Sequence, residues 1–251
     1  MKETILKNVI QTVVAAAFLF VCYLLAYYVA GNELLVPAFS DCVKEMGRFL
    51  SDGGFWRGLL ESLLRALSAF GISFLVALVF ALAAYMLPLL ERIFAPIVSA
   101  FRSLPVLAVL LILLSFLGAK EAPVAVAFLS LFPMLYAGIL AALSGLDGQL
   151  LEIGKLNGAP WLARIFKVYL PLSSPYILRE AGAALSFSLK LVVSAEVLAN
   201  TAKSLGGMMQ ETKVYSEIPQ LFALVAVTFL LGLLMELAVS LLAIAVEKKV
   251  K

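Results

Sequence analysis

The chain has 251 residues, of which 63% are hydrophobic and only 14% charged, with a net charge of +3. A soluble globular domain lies nearer half apolar and a quarter charged, so this composition is that of an integral membrane protein, read here as one continuous transmembrane domain over 1–251. The small positive excess is explained by membrane topology and gives no reason to expect a nucleic-acid partner. The absence of histidine removes the commonest metal ligand and general base, and with them most hydrolytic chemistry.

Six apolar runs are long enough to span, at about 9–30, 60–87, 93–117, 122–146, 175–199 and 218–246. Backbone polar groups cannot stay unpaired in hydrocarbon, so each is predicted to be a helix. The first run follows Lys2 and Lys7 and superficially fits a signal peptide. Its length is that of a spanning helix, roughly 20 residues, and Phe20 and Val21 are bulky for a lipoprotein cleavage site before Cys22, so it reads as a retained first helix. Cys22 lies in this apolar run and Cys42 in a polar connection, which implies no disulfide framework.

The outer segment 31–58 differs from its surroundings. Phe39, Cys42, Val43, Met46, Phe49 and Leu50 recur at helical spacing with charges between them, which predicts a short amphipathic helix on the membrane surface, ended by Gly53 and Gly54. Pro88 is expected to close the second run and Gly118 the third, while Pro96, Pro105 and Pro133 predict kinks. Ser174 with Pro175 reads as an N-cap and first-turn proline opening the fifth helix, and Ser216 with Pro219 as the same device opening the sixth.

Lys and Arg placement sets orientation. With the N-terminus inside, inner segments carry the larger share, among them Lys2, Lys7, Arg92, Lys155, Arg164, Lys167, Arg179, Lys248 and Lys249, while Lys44, Arg48, Arg57, Lys120, Lys203 and Lys213 lie outside. Both termini and the loop 147–174 are therefore expected in the cytoplasm.

That loop mixes Glu152, Lys155 and Asn157 with Ile153, Leu156, Trp161, Leu162, Ile165 and Phe166. A mere solvated connector would not turn Trp161 and Phe166 towards water, so a docking surface is expected. Gly158 lies between two short helical stretches and would permit a tight reversal.

The spacing Glu152-Ile153-Gly154, three residues, Gly158, nine residues, Val168-Tyr169-Leu170-Pro171 resembles the motif by which ABC-importer permeases grip their ATPase subunits. That motif runs Glu-Ala-Ala, three residues, Gly, nine residues, Ile-x-Leu-Pro. Ile153 and Gly154 replace its two alanines and Val168 its isoleucine; Gly154 should loosen the first short helix. The segments SLLRALSAFGISF from Ser62, FRSLP from Phe101 and SAEVLA from Ser194, with Gly206-Gly207, are similar to the nitrate/sulfonate/taurine-type group of these permeases.

The resemblance covers about 55–245, the core permease region, and implies an all-α type I ABC-importer permease fold with about six transmembrane helices in the bacterial inner membrane. It implies a second copy of the chain, two cytoplasmic ATPase subunits, and a periplasmic or lipid-anchored substrate-binding protein as partners. ATP and magnesium would reside on the ATPase, since this chain has no GxxxxGK[ST] of its own. The residues it assigns to ATPase coupling are Glu152, Ile153, Gly154, Asn157, Gly158, Trp161, Leu170 and Pro171. The solute expected is small: a sulfonate, nitrate or vitamin-precursor type.

Charges at bilayer depth usually face a bundle interior or a water-filled cavity. Lys190 and Glu196 lie six apart in the fifth run, about 120° off a common face, so each is expected to meet another helix, water or solute. Two readings stand: structural pairs, for instance Arg102 or Lys190 with Glu196, or a pathway wall of Arg102, Lys190, Ser194 and Glu196. Arg65 has the weakest claim, because from the outer end of the second run it can snorkel to the interface. Glu236 is deep in the sixth run.

An ion-gradient-driven secondary transporter is the alternative, but its inverted repeats and paired broken helices are not found, and it gives no reason for the large cytoplasmic loop. A membrane enzyme is disfavoured by the lack of histidine, of an Asp-rich metal motif and of a nucleophile–base pair. The chain is therefore expected to be a transport subunit without catalysis of its own.

Overall fold

The computed structural model describes residues 14, 17, 18, 20–146 and 160–250, and all the elements among them are helical. We number them α1 (Phe20–Ala30), α2 (Phe39–Ser51), α3 (Gly53–Met86), α4 (Pro88–Ser103), α5 (Val106–Ser144), α6 (Leu170–Ala199), α7 (Leu205–Val214) and α8 (Ile218–Val250). A helical turn, Trp161–Arg164, and a π-turn, Ile165–Tyr169, run directly into α6.

Four helices among the described residues are long and apolar enough to cross a membrane: α3, α5, α6 with its π-turn, and α8. Among the described residues the expected six spans are therefore not found. The first run falls partly outside the described residues and is seen as α1. The third, 93–117, is not one span. Its first half belongs to α4, an amphipathic helix that turns Phe94, Val98 and Phe101 onto the core while Glu91, Arg92 and Arg102 stay exposed. Leu104 and Pro105 are extended, as a residue before proline prefers to be, and the chain restarts as α5. Gly118 then breaks α5 with φ 75° and ψ 175°, a region open essentially to glycine alone.

The amphipathic helix at the outer segment is present as α2, but Gly53 and Gly54 do not end it. They open α3, where the Asp52 carboxylate caps the helix by accepting from Gly54 N at 2.9 Å and Phe55 N at 3.1 Å.

Nor does Pro175 open the fifth helix. It lies inside α6, which already begins at Leu170. Pro175 has no N–H for the Pro171 carbonyl, and the Ser174 hydroxyl donates to that carbonyl instead, at 2.8 Å. A helix whose freed backbone acceptor is met by a neighbouring hydroxyl can continue through the proline. Ser216 is likewise no N-cap: it is left-handed, φ 59°, and Leu221 N donates to the Glu217 carbonyl, which puts Pro219 in the first turn of α8.

The core is built around α6, which packs against α3, α5, α7 and α8. The buried face of α3 is a stripe of small residues, Gly58, Ser62, Ala66, Ala69, Ser73, Ala77, Ala81 and Ala84. Such a stripe lets helix backbones approach closely, which in a bilayer takes the place of hydrophobic association.

Candidate functional site

The polar centre of the molecule lies where α3, α6 and α7 meet. Glu196, three residues from the end of α6, is completely buried. Its Oε1 accepts from Arg65 Nη1 at 2.8 Å, and its Oε2 accepts from the Ser62 hydroxyl at 2.6 Å and from Gly206 N at 3.2 Å. The Ser62 oxygen in turn accepts from Leu205 N at 2.9 Å, and the second arm of Arg65 reaches Glu61 Oε2 at 3.2 Å. A buried carboxylate is tolerable only when its charge is paired and its lone pairs are filled, and this arrangement meets both conditions.

The site forms because α7 presents its first turn to Glu196. Ser204 caps α7, accepting from Gly207 N at 2.8 Å. The next N–H groups, of Leu205 and Gly206, have no partner within the helix. They are met by Ser62 and Glu196, and a carboxylate at this position also suits the helix dipole. Glycine is required for the fit: a Cβ on Gly206 would lie 2.4 Å from Glu196 Cβ and 2.6 Å from the Val193 carbonyl, and one on Gly207 would lie 2.1 Å from the Thr201 carbonyl. Thr201 fastens the preceding loop to the break in α5, donating to the Ala119 carbonyl at 2.8 Å.

Structural pairing of Glu196 with Arg102 or Lys190 is thus corrected: its partner is Arg65, which is only 9% exposed and does not snorkel. Arg102 is exposed in the last turn of α4. Lys190 and Ser194 are exposed and line a cavity of about 250 Å³ between α6, α7 and α8. Of the four expected wall residues, only these two come together.

Sequence reasoning missed Ser62, Arg65 and the α7 N-terminus as parts of one network. The signal available was the spacing of Ser62 and Arg65 on the buried stripe of α3, where a polar side chain has to find a partner. Ser62→Ala is expected to lower stability by about 1–3 kcal/mol, because it leaves Leu205 N and one Glu196 oxygen short of a partner. Thermal unfolding in detergent checks this.

In the loop expected to meet an ATPase, Glu152, Ile153, Gly154, Asn157 and Gly158 lie outside the described residues. Trp161 begins the short helical turn. Leu170 and Pro171, both half-buried, open α6, and Phe166 on the π-turn is 65% exposed. The second short helix expected of the loop is therefore continuous with the membrane helix. At this end Arg179 pairs with Glu247 at 2.7 Å, which ties α6 to the end of α8. Among the described residues, no three His, Cys, Asp or Glu gather as they would around a metal ion.

The helical bundle and the four membrane-length helices among the described residues define a multi-pass membrane protein. Residues 73–251 match the family described as binding-protein-dependent transport system inner membrane component, and the chain belongs to that family. It is a permease subunit of an ABC importer of the bacterial inner membrane and is not itself an ATPase.

A probable ABC transporter permease protein of Brucella melitensis is 28% identical over 210 residues, covering 82% of this chain and 84% of that one. The taurine transport system permease protein of Escherichia coli is 26% identical over 187 residues, covering 74% and 68%. Among solved structures, a chain of the MetNI methionine ABC transporter in inward-facing conformations superposes with a TM-score of 0.67 at 20% identity, covering 76% of this chain and 94% of that one. A chain of an amino acid ABC transporter gives 0.65 at 21%, covering 82% and 97%. At these identities the structural likeness speaks for the fold.

Proposed function

We propose that two copies of this chain form the translocation pathway of an ATP-driven importer for a small solute. A separate ATPase drives it through the loop 147–174. ATP binding closes the ATPase dimer, draws the two loops together and switches the pathway from inward- to outward-facing; a periplasmic or lipid-anchored binding protein then delivers solute. In physical terms, a ligand bound on one chain biases a two-state element in another. ATP and magnesium belong to the partner.

The observation that carries this reading is the register of Glu152, Gly158, Leu170 and Pro171 inside the family-matched span. The described end of the motif, from Trp161, runs into α6, the most buried of the membrane-length helices. A push on the loop is therefore applied to the helix that packs against α3, α5, α7 and α8. Phe166, exposed within the motif, supplies apolar surface for docking. The excess of Lys and Arg on the loop side supports a cytoplasmic loop and cytoplasmic termini. Among the expected solutes of sulfonate, nitrate or vitamin-precursor type, the taurine-transport relative supports a sulfonate.

The test is reconstitution with the ATPase and binding protein in liposomes. Uptake should require ATP. If the chain associates with no ATPase and takes up solute in ATP-free vesicles under an ion gradient, it is a secondary transporter. Replacing Gly158 with isoleucine should cut ATP-coupled uptake by at least about ten-fold while hydrolysis by the associated ATPase continues. Normal transport by that variant would remove the loop from the mechanism.

A further inference from the structure

We propose that the cavity beside Lys190 is an anion-selective station for the solute, one that takes a single sulfonate or carboxylate group attached to a short apolar body. This rests on the solute-pathway reading above and goes further by choosing the sign of the charge. The sequence places a lysine and a glutamate in the same helix, a combination that suits anions and polar heterocycles alike. The fold separates them. Glu196 is completely buried, and Arg65, Ser62 and Gly206 take up its charge and lone pairs. Lys190 forms no ion pair or hydrogen bond among the described residues and is the one charged side chain lining this cavity, the nearest carboxylate on the same face of α8 being Glu236, one turn beyond Gly232.

Depth makes that cation informative. Lys190 lies about 14 Å along α6 from its end at Ala199, at 1.5 Å per residue. The polar stretch Asn200–Ser204 marks the end of the apolar segment, so Lys190 is close to the middle of a hydrocarbon layer of about 30 Å. A charge at that depth is costly against lipid and is found facing an aqueous cavity.

The surroundings fit a small amphipathic anion. Lys190 and Ser194 share the cavity with Met209 of α7 and with Val225, Thr228 and Phe229 of α8. The Thr228 hydroxyl is committed to the Leu224 carbonyl at 2.9 Å, so the free donors are Lys190 and Ser194. One turn along α6, the Ser186 hydroxyl is buried without a partner. It faces Gly232 of α8, where a Cβ would lie 3.2 Å from Ser186 Oγ and 3.9 Å from Lys190 Cε. Glycine at 232 thus lets the Ser186 hydroxyl and the lysine stem pack close against α8. A sulfonate or carboxylate would bring the acceptors that Lys190 and Ser194 lack, and Val225, Met209 and Phe229 would take its apolar body.

Cysteine labelling tests this without the solute. The full chain is placed in lipid nanodiscs with Cys22 and Cys42 changed to serine and a reporter at Val225→Cys, an exposed position lining the cavity. It is then treated with the anionic sulfonatoethyl and the cationic trimethylammonioethyl methanethiosulfonates, each rate being normalised to that of a free thiol. A cationic, water-accessible wall focuses anions, so the normalised anionic-to-cationic ratio should exceed about ten with Lys190 present and fall to about one in Lys190→Gln. A ratio near one with Lys190 in place would overturn the proposal. So would failure of both reagents to react, which would place this face against lipid or protein. Association with an ATPase and ATP-driven uptake test the permease reading separately, and labelling measures neither.

Discussion

Arg65→Ala is expected to destabilise the protein by about 3–5 kcal/mol, because it leaves the completely buried Glu196 carboxylate without its counter-charge. Arg65→Lys should recover only part of this. Lysine restores a point charge but not the planar fork that reaches Glu196 through one nitrogen and Glu61 through the other. Glu196→Gln combined with Arg65→Ala should be milder than the sum of the two single changes. A neutral amide can still use Ser62 and the Gly206 N–H and leaves no unpaired charge in the interior. The measurement is a double-mutant cycle on unfolding in detergent, with a coupling of about 1 kcal/mol or more expected for groups in direct contact. Simple additivity would show that the two charges do not sustain one another.

The second large effect is at Gly206, where a side chain would drive α7 away from α6. Gly206→Ala sets a Cβ 2.4 Å from Glu196 Cβ and 2.6 Å from the Val193 carbonyl. A backbone carbonyl cannot swing aside, so α7 itself must move. The cost expected for forcing extra volume into such a contact is about 1–3 kcal/mol, and more for Gly206→Val. The displacement also lengthens the bond from Gly206 N to Glu196, so part of the loss should disappear in a Glu196→Gln background. Gly71→Ala is the control. Gly71 sits within α3 with nothing within 4 Å of its Cβ position, and alanine there should be neutral or stabilising by up to about 1 kcal/mol. Equal unfolding midpoints for the two alanine variants would refute the close approach of α7.

These two effects belong to one structural idea. The segment between α6 and α8 is held to the bundle by the open N-terminus of a short helix, and the anchors are Ser62 and Arg65 on α3 and Glu196 on α6. Removing any of them should loosen α7, which also contributes Met209 to the cavity beside Lys190.

Much of this was legible in the chain because it follows from local rules. A bilayer demands that apolar runs satisfy their own backbone, so the helical class, the membrane setting and the position of most of the long helices come from composition and run length alone. The period of α2 is written in its alternation of apolar and charged residues. The motif proposed for coupling is a matter of spacing, and so is the absence of a nucleotide loop. Where the reading failed, a local signal was overruled by something distant or by a neighbouring side chain. Pro175 reads as a helix start until Ser174 supplies the hydrogen its carbonyl partner lacks. The run 93–117 reads as a span until Leu104 and Pro105 divide it and the aromatic residues of α4 find the core.

What only the tertiary structure decided is which charge meets which. Arg65 and Glu196 stand 131 positions apart, and no periodicity within either helix records their contact. Packing chose it, because the small-residue stripe of α3 brings its backbone close to α6 and leaves Arg65 with Glu196 as the ion pair at that level. That single choice leaves Lys190 without an ion pair among the described residues and turns a helix of mixed charge into a cationic wall.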